Sequence, residues 1–101
     1  MSFKTVVNLD GIERAVKQLL DDEPFLKEIV LVKSDDTIFT IYASDKTPVF
    51  LQNYMIKEKP VSRDLLSEEL FSIVCASHRP SEIKVVKSER GLYHFDIYFL
   101  L

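Results

Sequence analysis

Residues 82–101, EIKVVKSERGLYHFDIYFLL, constrain this chain more than any other stretch. Two alternating runs flank Ser88-Glu89-Arg90-Gly91, the signature of a β-hairpin. A three-residue hairpin loop ends in the left-handed region, which glycine occupies without steric cost. Gly91, one of only two glycines in the chain, sits at that position. The turn therefore predicts a register: Ser88 faces Leu92, Lys87 faces Tyr93, Val86 faces His94, Val85 faces Phe95, Lys84 faces Asp96 and Ile83 faces Ile97.

The register is self-consistent. Val85 with Phe95 and Ile83 with Ile97 make an apolar face, and Lys84 with Asp96 makes a charge pair on the other. A slip of one residue would exchange the faces. The second strand is expected to run to the last residue. Tyr93, Phe95, Ile97, Phe99 and Leu101 form its apolar row. Leu92, His94, Asp96, Tyr98 and Leu100 form a mixed one.

The remaining chain has room for one core. With 101 residues it is a single domain, 1–101. Apolar content of 47% and charged content of 29% are those of a globular protein. No run approaches the roughly 18 apolar residues of a membrane helix, and no signal peptide is apparent at the N-terminus. The single cysteine, Cys75, excludes an internal disulfide and suits a reducing compartment, so a cytoplasmic protein is expected.

Residues 2–8 read as an edge strand or a lead-in. Asp10 and Glu13 resemble a capping box. Ile12, Ala15, Val16, Leu19 and Leu20 follow at helical spacing, giving a helix over 10–22 that Pro24 stops. EIVLVK (28–33) and TIFTIYA (37–43) form a hairpin through Ser34-Asp35-Asp36. Pairing Lys33 with Ile38 puts Val30 and Val32 in the core, with Ile29, Leu31, Thr40 and Tyr42 outside. Residues 49–56 read as a third strand of that meander. Ser62 caps a helix over 63–77 with a stripe at Leu66, Leu70, Ile73, Val74 and Ser77. Phe71 and Cys75 lie off that stripe and suggest a second contact strip. The order (β)-α-β-β-β-α-β-β predicts an α+β two-layer sandwich, with two helices on a largely antiparallel sheet of about five strands.

Chemistry is scarce. Catalysis needs a nucleophile, a base and a stabiliser at one place. Cys75 and His78 are the closest approach, at i and i+3, and no oxyanion-hole signature accompanies them. Asp35-Asp36 lacks the ligand spacing of a calcium loop. Cys75, His78 and His94 lack that of a zinc site. No Gly-rich phosphate loop is present. The reading is a non-enzyme with no cofactor and no metal, a small enzyme with an unrecognised site being the alternative. Lys84, Lys87 and Arg90 give the C-terminal hairpin a basic character. A net charge of −3, with Glu82, Glu89 and Asp96 interleaved, disfavours nucleic-acid binding, which stays a second alternative.

The strands carry too many apolar residues for one face. Two short helices cover one side of such a sheet. Either they sit on opposite faces, or the second face is buried by another subunit or a partner, since contiguous uncovered apolar surface marks an interaction site; association is the favoured reading. Leu31, Tyr42, Val86, Leu92, Tyr98 and Leu100 are the expected interface. An apolar edge strand FDIYFLL would otherwise invite aggregation. The expectation is a small acidic adaptor, inhibitor or chaperone-like subunit that binds a protein partner, most simply as a homodimer. The order of elements is similar to that of the small acidic type III secretion chaperones, dimers that bind extended client segments. That likeness is one of element order and rests on no residue-level motif.

Overall fold

The computed structural model describes residues 2–46, 55–56, 60–76, 79–88 and 90–99. Ser2–Asn8 is a strand, β1, and a 3-10 turn over Leu9–Gly11 leads into helix α1, Ile12–Asp22. β2 (Glu28–Asp35) and β3 (Ile38–Ser44) form a hairpin. Met55–Ile56 is a two-residue strand, β4; helix α2 spans Arg63–Val74; and β5 (Glu82–Lys87) pairs with β6 (Tyr93–Tyr98). All pairings are antiparallel, in one sheet of order β1-β3-β2-β5-β6-β4. The architecture is the α+β arrangement that the pattern predicts.

The C-terminal hairpin keeps the predicted register from Lys87↔Tyr93 to Ile83↔Ile97. Ser88 N–H donates to the Leu92 carbonyl at 2.8 Å, and Gly91 has φ +80°. β6 ends at Tyr98 and Phe99 is exposed beyond it; the last two residues of the expected strand, 100–101, lie outside the described residues.

The first hairpin departs from its predicted register by one residue. Leu31 pairs with Ile41 and Val32 with Thr40, and a bulge between Lys33 and Asp35 absorbs the difference. A bulge places one extra residue on one strand, so the turn shifts to Asp36-Thr37 and β2 presents its other face. Ile29 and Leu31 are therefore core residues. Val30 and Val32 take the outside positions.

Both helices lie on the same side of the sheet and pack on each other. Ile12, Val16, Leu19 and Leu20 of α1 and Leu66, Leu70 and Val74 of α2 share one cluster with Ile29, Leu31, Phe39, Ile41, Ile83, Val85 and Phe95 of the sheet. α1 starts at Ile12, with Gly11 rather than Asp10 at the N-cap and no side-chain cap bond, because the 3-10 turn takes up Asp10. α2 stops at Val74, three residues short of the predicted end. Arg63 joins the helices: its Nη2 donates to the Leu20 carbonyl at 2.6 Å and to Asp21 Oδ1 at 3.2 Å.

Two edge assignments change. β3 has β1 as its second neighbour, so the described part of 49–56 cannot continue the meander; Met55 and Ile56 pair instead with Ile97 and Asp96. β6 is consequently interior, and Val61 also bridges it at Tyr93. The edge strand that matters is β1. Among the described residues, no strand pairs with its outer side.

Candidate functional site

Because α1 and α2 share one side, the opposite face of the sheet has no helix against it among the described residues. Register alone defines this outer face. One row across the strands reads Lys4, Tyr42, Val30, Lys84, Asp96, and the next reads Val6, Thr40, Val32, Glu82, Tyr98. Val86 and His94 face each other further along. The face therefore has two halves. Over β1, β3 and β2 it is mostly apolar: by register Val6, Val30, Val32, Ile38 and Tyr42 lie around the buried Thr40, with Lys4 at the rim. Over β5 and β6 it is charged and polar.

Val6 is 61% exposed and Tyr42 41% exposed, so the apolar half is open where β1 and β3 carry it. Lys4 holds its ammonium 5.6 Å from the centre of the Tyr42 ring, within cation–π range. Ser34 and Thr40 share a hydroxyl–hydroxyl hydrogen bond of 3.0 Å, which satisfies both beside the bulge. In the polar half Asp96 is only 3% exposed, and its Oδ2 has no hydrogen-bond partner among the described residues. Burial raises its carboxyl above the usual carboxylate value, and Lys84 opposes that rise. On the inner face, burial likewise raises the Tyr93 phenol, against an opposing effect of Arg63.

The six expected interface residues are dispersed. Tyr42, Val86 and Tyr98 take outer-face positions, Tyr42 well exposed, Tyr98 half-buried and Val86 buried. Leu31 does not belong with them. At 1% exposure it is core, a correction forced by the bulge that reverses β2. Leu92 is half-buried in the turn before β6, and Leu100 lies outside the described residues. Phe71 packs partly buried against the core while Cys75 is exposed at the helix end, so the two form no common strip. Val30 and Val32 were hidden from sequence reasoning by the one-residue register difference. Val6 was hidden because β1 alternates too weakly to declare its faces.

Among the described residues the chemical alternatives find no assembled site. α2 ends before Cys75, and His78 lies outside the described residues. No three His, Cys, Asp or Glu side chains among the described residues are grouped to hold a metal. Lys84 is on the outer face opposite Asp96, Lys87 has the inner-face phase opposite Tyr93, and Arg90 is in the turn. Arg79 donates to the Asp36 carbonyl. These cations do not share one surface. No described helix is long and apolar enough to cross a membrane. Compared with family models, curated proteins and solved structures, the chain has no significant match.

Proposed function

We propose that this protein is a non-enzymatic protein–protein interaction module, an adaptor, inhibitor or chaperone-like subunit, that associates through its sheet. One observation supports the reading: two helices cover one face, and the other carries exposed Val6 and Tyr42 beside half-buried Val30, Val32 and Ile38, grouped around Thr40. Uncovered apolar surface of this kind is disfavoured in water and gains from burial against a second protein. The rim suits a docking face, since Lys4, Glu28, Glu82 and Lys84 surround the apolar centre with both signs of charge.

A photo-crosslinking side chain at Val32, compared with one at Leu65, tests the reading. Leu65 is exposed on α2, away from the sheet face. The expected result is discrete protein adducts from position 32 and none from position 65. Equal labelling at both positions, or none at either, would overturn it.

A further inference from the structure

Resting on the reading of an interaction module, we infer that the chain forms a two-fold homodimer by antiparallel pairing of β1 with β1 of a second copy. The two six-stranded sheets then become one continuous sheet, and the outer face stays free for another partner.

Among the described residues β1 is a seven-residue unpaired edge with little protection. It has no proline, its ladder to β3 runs without a bulge, and Lys4 is its only charge. Phe3 is 42% exposed on the helix side and Val6 is exposed on the other. Between β1 and α1 lies a cleft of about 260 Å³, lined by Phe3, Thr5, Val7, Ala15, Gln18 and Asp22 among others. It runs along the free edge, so a second copy would extend and close it.

The sequence of β1 selects the register. A two-fold axis perpendicular to the sheet keeps the helices of both copies on one side and pairs residues of like phase. Centring on Lys4 sets Lys4 against Lys4, two like charges in direct opposition. Centring on Val6 leaves Phe3 without a cross-strand partner. Centring on Thr5 pairs all of Ser2–Asn8, sets Phe3 against Val7 of the other copy on the helix side, and sets Lys4 against Val6 on the other. Only this register uses the whole strand and opposes no charges.

The helix beside the edge is complementary under the same axis. Arg14, Gln18 and Asp22 fall at i, i+4 and i+8 on α1, one column down the helix. Gln18 Nε2 donates to Asp22 Oδ1 at 3.0 Å, and both residues line the cleft. The column is basic at one end and acidic at the other. A two-fold centred near Gln18 aligns Arg14 of each copy with Asp22 of its mate. Thr5 and Gln18 both border the cleft, the proximity that an axis shared by strand and helix requires.

Thr5 meets its own counterpart on the axis, which makes it the test. Light scattering coupled to size exclusion, with circular dichroism as the check on folding, should give a dimer for the wild type. Thr5→Lys and Thr5→Glu should each halve that mass while remaining folded, and an equimolar mixture of the two should restore the dimer. Val32→Lys should leave the dimer intact. A monomeric wild type, or a dimer that survives in both Thr5 variants, would overturn the inference. If Val32→Lys alone dissociates the dimer, the self-interface is the outer face: this pairing fails while the interaction reading stands.

Discussion

Lys84 faces Asp96 across the β5–β6 ladder on the outer side of the sheet, and its charge offsets only part of the penalty that burial imposes on the carboxylate. The folded-state value is raised, so the native protein holds this proton more tightly than the unfolded chain does. The linked destabilisation is absent below the ordinary value of 3.8 and develops as pH rises through the window up to the folded value. Above that window it is complete. Asp96→Asn, which replaces a buried charge by a neutral amide, should raise the urea midpoint at neutral pH. The difference from wild type should close as pH falls toward 4.

Leu70 and Leu65 are near neighbours on α2 with opposite fates. Leu70 is fully buried against α1 and the sheet, and Leu65 is exposed. Leu70→Ala should cost about 2–5 kcal/mol, and Leu65→Ala about 0.5 kcal/mol or less. Chemical denaturation of the two variants measures the orientation of α2 directly.

Gly91 adopts φ +80°, and a Cβ built there meets nothing within 4 Å. The cost of a side chain is therefore conformational rather than steric contact with neighbours. Gly91→Ala should destabilise by about 1 kcal/mol. Gly91→Asn should cost less, because asparagine tolerates the left-handed region. Equal losses for the two would contradict this account.

Arg63 serves a helix end more than an ion pair. The Leu20 carbonyl belongs to the last turn of α1, where backbone acceptors lack helical partners. The Arg63–Asp21 contact is largely solvated and weak. Arg63→Ala should lower stability by about 1 kcal/mol, and Asp21→Ala by only a few tenths. Thermal melts at low and high salt should show little salt dependence in the Arg63→Ala loss.

These expectations rest on a fold whose legibility varied with local chemistry. The register of the C-terminal hairpin, though not the end of its second strand, was readable to the residue because Gly91 pins the loop and therefore every pair above it. The first hairpin has no glycine in its turn, and the chain instead bulges between Lys33 and Asp35. A bulge leaves no compositional trace here, since valine, isoleucine and leucine fill both phases of β2. Both helices were legible from their apolar spacing, but which side of the sheet each takes is not a property of either helix. It follows from the crossovers, and with it went the location of the open face. Strand order was hidden for the same reason: Met55–Ile56 beside β6 and Ser2–Asn8 beside β3 are long-range choices that no local window contains.

The seam between β2 and β5 has a kinetic meaning. Each outer hairpin is local, but Val30 meets Lys84 across more than half the chain. Either hairpin can therefore form early at small entropic cost, and the docking of β2 on β5 must wait for a large loop to close. Until it does, neither helix has its complete floor. Of the long-range pairings this one closes the largest loop, so it should limit refolding, with substitutions along Ile29, Leu31, Ile83 and Val85 slowing folding more than comparable losses at the hairpin tips.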